Sequence, residues 1–292
     1  MGKWKGSWGW LVLAGLWLAP AVAGAVPKSV RQQIESSLLV KGTIDIERDG
    51  SVSAVALDHE DKLPSGVVTF VRQAGLRWRF EPVVRDGAVV KANAPMSVRV
   101  VAKKLEGGQY QVSLVGASFE SYDGEDPHGV RSLKIGPPRY PEQAFRAGVS
   151  GNVYLLVKVG PDGLVEDAIA EQVNLRVLGN EGELRMLRDM FAKSALAAAR
   201  DWSFRVPTEG EAAGKPFWNV RVPVSYIVDP QPIEGSEKDY GTWISYVPGP
   251  RQSAPWVEHK DAAGFSPDTL GDGGVYMADS HAPRLLTPLQ GG

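Results

Sequence analysis

The chain has 292 residues, 43% hydrophobic and 23% charged, with a formal net charge of −2 and no cysteine. A charge so close to balance provides no basic field for nucleic acid and no acidic excess to keep the chain unfolded. The lack of cysteine excludes disulfides, thiolate metal sites, iron–sulfur clusters, a cysteine nucleophile and a lipid-bearing cysteine anchor.

The N-terminus has the order of a secretory signal. Lys3 and Lys5 precede an apolar run from Trp8 to Ala25, and two small-x-small sites follow Pro20, at Ala21–Ala23 and Ala23–Ala25. Residues 1–25 are expected to be a signal peptide, with the mature chain starting at Gly24 or Val26. The alternative is a retained membrane anchor, since the run falls only a little short of the roughly 20 residues a spanning helix needs. No later segment is long and apolar enough to span.

A first unit is expected over 38–119. Gly42 to Arg48 alternates toward the turn Asp49-Gly50, and Ser51 to Leu57 returns. Ser65 is placed to cap a helix striped by Val67, Phe70, Val71, Ala74 and Trp78. After Trp78-Arg79-Phe80-Glu81-Pro82 come Gly87 and an alternating strand, Met96 to Leu105. The turn Glu106-Gly107-Gly108 leads to a further strand, Gln109 to Phe119. Residues 120–136 read as a linker.

A second unit is expected over 137–229. Tyr140-Pro141 opens a helical turn that stops at Gly148. Gly151 to Val159 is a strand, Pro161-Asp162-Gly163 a tight turn, and Leu164 to Ala170 the returning strand. Leu187, Phe191, Ser194, Ala195, Ala198 and Trp202 form a stripe at helical spacing. Val220 to Val228 alternates as the last strand. Its Pro223 places a sheet edge there, because proline cannot donate to a ladder. The expectation is a free edge, with a half-buried strand face beneath it. Trp78-Arg79-Phe80 and Trp202-Ser203-Phe204 occupy equivalent places, and Val98-Arg99-Val100 and Val222-Pro223-Val224 lie equally far beyond them. This spacing predicts an internal repeat, read as tandem domains. The fold class is therefore α+β: two tandem ββαβ units with antiparallel sheets, each packed by one helix. Residues 230–292, rich in proline and glycine, are expected to be mostly irregular, with Trp243, Tyr246, Trp256, Phe265 and Tyr276 available to dock on a surface.

Several of these segments resemble the C-terminal domain of TonB energy transducers. They are Pro137 to Ala144, Gly148 to Val165, Ala197 to Phe204, and Gly214-Lys215-Pro216 with Val220 to Val228. The first unit resembles a diverged copy. The resemblance implies a ββαβ unit in the periplasm that offers a sheet edge to a short peptide, the TonB box, of an outer-membrane transporter. The physics is strand addition, in which unpaired edge groups supply main-chain hydrogen bonds and pockets add selectivity. Transducers of this family also carry an anchor histidine and a long proline-rich spacer. Trp8 to Ala25 contains no histidine, and the first unit begins near Leu38.

No catalytic chemistry is legible. His59, His128, His259 and His281 sit in polar or loop contexts without metal-site spacing, and no nucleophile elbow or phosphate loop occurs. The expectation is a non-enzyme with no cofactor and no metal. The candidate partner-binding residues are Ile135, Pro137, Arg139, Tyr140, Val220, Arg221, Val222, Val224 and Tyr226. The partner implied is a TonB-dependent outer-membrane transporter or another envelope protein, with a second copy of the chain as a further candidate. Nucleic acid is not a partner, and membrane contact arises only if the N-terminal segment is retained. The runner-up reading is a structural or cell-wall-associated periplasmic protein, and the third is an anchored transducer.

Overall fold

The computed structural model describes residues 35–85, 87–105, 109–234, 236–257, 261, 263–278 and 282–290. The expected signal segment lies outside the described residues. The architecture is α+β with antiparallel sheets, as the alternating stretches predict.

In the first unit, β1 (Glu35–Ile46) and β2 (Val52–Leu57) form a hairpin whose turn needs Gly50 at φ +79. Helix α1 (Ser65–Gly75) buries Val67, Val68, Val71 and Ala74 against the sheet. Ser65 does not cap it. Pro64 holds the cap position, and Trp78 lies beyond the helix end, buried to 1% exposure. The short hairpin of β3 (Val84–Arg85) and β4 (Ala88–Val89) leads to the long hairpin of β5 (Ala92–Lys104) and β6 (Tyr110–Ser118). Strand β1 is central, with β2 on one side and β5 on the other.

The segment expected to be a linker contains β7 (Arg131–Lys134), which pairs with β10 (Ser203–Arg205). It therefore belongs to the second unit's architecture. That unit continues with a short helix, α2 (Glu142–Arg146), and then β8 (Gly151–Val159) and β9 (Val165–Leu175). Next comes α3 (Glu181–Ala199), followed after β10 by β11 (Trp218–Tyr226). Strand β8 is central between β9 and β11, so both sheets set their first long strand in the middle. The start of α3 is fixed by a capping box. The Asn180 side chain accepts from the Glu183 N–H, and the Glu183 carboxylate accepts from the Asn180 N–H.

The described residues after Asp229 carry two short strands and are built into both cores. Strand β12 (Ile244–Tyr246) pairs with the start of β1, and the next residue, Val247, bridges to Leu175 at the end of β9. Tyr240, Leu285 and Leu289 join the first core, and Val247 and Val275 the second. A turn at Pro267–Thr269 sits where the two sheets meet, and β13 (Tyr276–Met277) pairs with β11.

This docking explains why β8 and β11 are buried on both faces rather than half-buried. One face packs the helix side, with Val153, Leu155, Val157, Val220, Val222 and Val224 in the core. The other face carries Asn152, Tyr154, Asn219 and Arg221, all buried, with the tail close by: Trp256 donates to Asn219, and Asp261 pairs with Arg221.

Two ion-pair clusters hold the buried arginines Arg99 and Arg221. Arg99 on β5 is 1% exposed and reaches Ser37 at 2.9 Å, Glu234 at 2.7 Å and the Asp268 carbonyl at 3.0 Å. The Asp268 carboxylate accepts from Tyr246 and from Asn174 of β9 at 3.2 Å, so one tail residue ties the two sheets together. Burial alone would lower the Arg99 pKa, but Glu234 and Asp268 outweigh it and hold the guanidinium well above its ordinary value. In the second cluster, Arg221 meets Glu171 at 2.8 Å and Asp261 at 2.6 Å, with Arg251 beside both carboxylates. The Phe265 ring lies 4.4 Å from the Arg221 guanidinium carbon.

Candidate peptide-binding edge

Strand β11 is positioned by pairing with β8 from Trp218–Val159 to Tyr226–Gly151. The carbonyl of Asn219 accepts the Ala278 N–H at 2.8 Å, so it points away from β8. By the two-residue period of a strand, the backbone groups of Arg221, Pro223 and Ser225 point outward as well. Pro223 is thus missing a donor only on the outer side, and its presence costs no hydrogen bond to β8.

That outer side is not wholly free. Strand β13 covers it at Val220 and Arg221, opposite Met277 and Tyr276. The expectation of an open edge along Val220 to Val228 is corrected to this extent. The tail, which carries no strand pattern of its own, returns and caps the first part of the strand. Beyond Arg221, no strand pairs with the outer side of β11 among the described residues. Ser225 bonds through its hydroxyl to Asp272 and Asn152, and its backbone groups face outward.

The candidate side chains divide into three groups. Val220, Val222, Val224 and Tyr226 are buried in the second core and turn their backbone groups to β8, so a partner meets this strand through the outward backbone of Pro223 and Ser225. Arg221 is buried within its ion cluster and is not available to a partner in this arrangement. The entry segment lies along α3. Pro137 and Arg139 are exposed, while Ile135 and Tyr140 are half-buried against the core.

Tyr140 joins the two candidate sets. Its hydroxyl donates to the Val149 carbonyl at 2.5 Å, and its ring meets Phe145, Phe191 and Tyr226 edge-on, with the Tyr226 centroid at 5.4 Å. Burial raises the pKa of Tyr140 and pushes that of Tyr226 up to about 12. Trp202 Nε1 donates to the Gly136 carbonyl at 2.9 Å, and Ser194 donates to the Arg139 carbonyl. These bonds hold Gly136 to Arg139 over α3 and leave a groove of 530 Å³ lined by that segment and by Ser194, Ala197, Ala198, Asp201 and Trp202.

The other residues weighed for chemistry stay apart. Asp126 accepts the backbone N–H of His128 at 2.9 Å, which is a turn contact and not a side-chain dyad. Among the described residues, no group of three or more His, Cys, Asp or Glu side chains could hold a metal ion, and no helix is long and apolar enough to cross a membrane. Sequence reasoning missed the Asn180–Glu183 capping box, although the N-x-x-E pattern before an apolar stripe was available. It also missed both ion clusters and the cap on β11, whose partners lie tens of residues apart and leave no periodic trace.

Residues 136–228 match the model of the family described as Gram-negative bacterial TonB protein C-terminal. The chain is 35% identical over 102 residues to "Protein TonB" from Xanthomonas campestris pv. campestris strain B100, and equally to that from strain ATCC 33913. The match covers 34% of this chain and only 39% of the length of those relatives. No solved structure matches. With its central β8, its flanking β9 and β11 and its packed helix, the segment 136–228 is a domain of the TonB C-terminal family.

Proposed function

We propose that this chain is a non-catalytic interaction module of the bacterial envelope, working in TonB-dependent outer-membrane transport. In this reading it resides in the periplasm, and β11 takes up an extended segment of a transporter or another envelope protein by strand addition. The observation that carries the reading is the outer side of β11 from Pro223 to Tyr226. There the Pro223 carbonyl and the Ser225 backbone groups face away from β8, no strand pairs with them among the described residues, and the strand ends a domain of the TonB C-terminal family. Added main-chain bonds would supply affinity, and the neighbouring Ile135–Tyr140 segment would supply side-chain selectivity. The first unit, with the same order of strands and helix, is read as a diverged tandem copy.

A photoreactive benzophenone side chain at position 225 tests the proposal. On irradiation with a synthetic TonB-box peptide, and separately in intact cells, it is expected to crosslink to the peptide and to one envelope protein. The absence of both products would sink the reading.

One observation favours a second reading, that of a structural periplasmic protein. Asp268 binds Arg99 of the first sheet and Asn174 of the second, so the two units are tied through one residue. Peptidoglycan pull-down that depends on the first unit would support that alternative.

A further inference from the structure

The outer edges of the two equivalent strands are closed in different ways. In the first unit, β5 is closed by β6 from Ser97–Ser118 to Lys104–Tyr110, through a hairpin contiguous in sequence. In the second, among the described residues, β11 is closed only at Val220 and Arg221, by a strand of two residues drawn from far along the chain. Hairpin closure from Ser97 to Lys104 joins many main-chain bonds to a short connection in sequence. A two-residue closure adds few main-chain bonds and is the natural place for the sheet to open.

The first unit holds both ends of that closing segment, and shares the earlier one with Asn174 of the second. Before β13, Asp268 is bound by Arg99 of β5 through its carbonyl and its carboxylate. After it, Arg284 to Leu289 run along the residues that follow α1. Glu81 donates to the Arg284 carbonyl at 2.9 Å, Leu286 to the Arg79 carbonyl at 2.8 Å, and Trp78 Nε1 to the Leu289 carbonyl at 3.0 Å. Leu285, 1% exposed, bridges to Phe80. The closing strand thus runs from a mooring shared by both sheets, at Asp268, to one on the first unit, at Leu285, and lies across the edge of the second.

We propose that β13 is a built-in competitor for the edge of β11, and that the first unit serves as the clamp that presents it. This rests on the strand-addition reading of β11. Held at both ends, β13 acts at a high effective concentration, so an incoming segment must outcompete it or wait for it to lift. The first unit then has a role of its own: it sets how readily the second accepts a partner, and any contact that loosens the clamp exposes the edge.

The absence of native cysteine allows a direct test. In the full chain carrying Val220→Cys and Met277→Cys, which replace cross-strand partners, oxidation ties β13 down and reduction frees it. A separate variant, Ala278→Pro, deletes the N–H that Asn219 accepts. The probe is a fluorescent synthetic TonB-box peptide, and amide exchange of the unliganded protein is followed in parallel. Ala278→Pro is expected to bind the peptide about tenfold more tightly than the unmodified chain, the loss of roughly one hydrogen bond's worth of closure. The oxidised pair is expected to bind the peptide about tenfold more weakly than the same protein after reduction. Amides of β13 are expected to exchange faster than those of β6. Equal peptide binding by oxidised and reduced protein overturns the competitor proposal while leaving strand addition intact. Binding by none of the variants instead defeats strand addition. The closure itself is then judged by exchange, and β13 amides as protected as those of β6 overturn it.

Discussion

Phe204 donates its backbone N–H to the carbonyl of Gly163 at 2.8 Å. The turn between β8 and β9 is thereby pinned to the chain as it leaves α3. In the first unit, Phe80 does the same to Gly50 at 2.8 Å. Both glycines have positive φ, +77 and +79, and a Cβ on either would press into the carbonyl oxygen of the phenylalanine it holds. Gly163→Ala should therefore be costly twice over, once for left-handed backbone, at roughly 1–2 kcal/mol, and again for displacing Phe204. A fall in melting temperature of several degrees is expected by calorimetry, with Gly50→Ala behaving alike. An unchanged melting temperature would mean that the turn can swing away freely.

Leu285 tests whether the tail is part of the first core. Leu285→Ala should cost about 2–5 kcal/mol, the usual range for emptying a buried leucine site. Hydrogen exchange should show the loss first in β1 and β5, whose core residues Val40 and Val98 share that cluster. A surface-like cost below about 0.5 kcal/mol would argue that residues after Pro283 are dispensable.

Arg99 anchors two carboxylates while almost wholly buried. Arg99→Ala leaves Glu234 and Asp268 without their cation and should destabilise the protein by about 3–5 kcal/mol in denaturant titration. Because Asp268 also accepts from Asn174 and Tyr246, the damage should spread to the junction between the sheets. Protection lost at β9 as well as at β5 is the expected signature, and loss confined to β5 would refute the tie.

Tyr226 carries a pH signature. Burial holds its pKa up at about 12, against about 10 in the unfolded chain. The hydroxyl stays neutral in the fold at pH values where the unfolded chain has already ionised. Its stabilising effect is therefore complete below pH about 10 and is lost as the pH rises toward about 12. Tyr226→Phe should reduce the slope of stability against pH in that window by about 1.4 kcal/mol per unit. Identical alkaline slopes in the two proteins would remove Tyr226 as the cause.

The strands and helices were largely legible because one face of each repeats at the period of its own geometry. Val220, Val222, Val224 and Tyr226 alternate, and Phe191 and Ala195 fall at helical spacing, so burial on the helix side could be foreseen. The candidate edge was legible through Pro223 alone, since only proline marks which side of a strand lacks a partner. The cap upon it was not. Tyr276 and Met277 sit among glycines without alternation, and their pairing with β11 depends on moorings at Asp268 and Leu285 that no local window contains. Arg221 was misjudged for the same reason. An arginine on an edge strand reads as solvent-facing until Glu171 and Asp261 are placed beside it.

The stitching of β12 to β1 bears on how the molecule comes to be folded. Glu35 pairs with Tyr246, and the Lys41 N–H donates to the Tyr240 hydroxyl across 199 positions of sequence. Contacts of such long range are slow to form, because the intervening loop must close before they repay the lost entropy. The usual order in which an early domain matures while later residues are still being made is therefore unavailable to the first unit. Its core is completed only when Leu285 and Leu289 arrive beside Trp78 and Phe80. Changes at Tyr240 or Leu285 therefore bear on the maturation of β1 and the Trp78 pocket, far away in the chain, as much as on the tail that carries them.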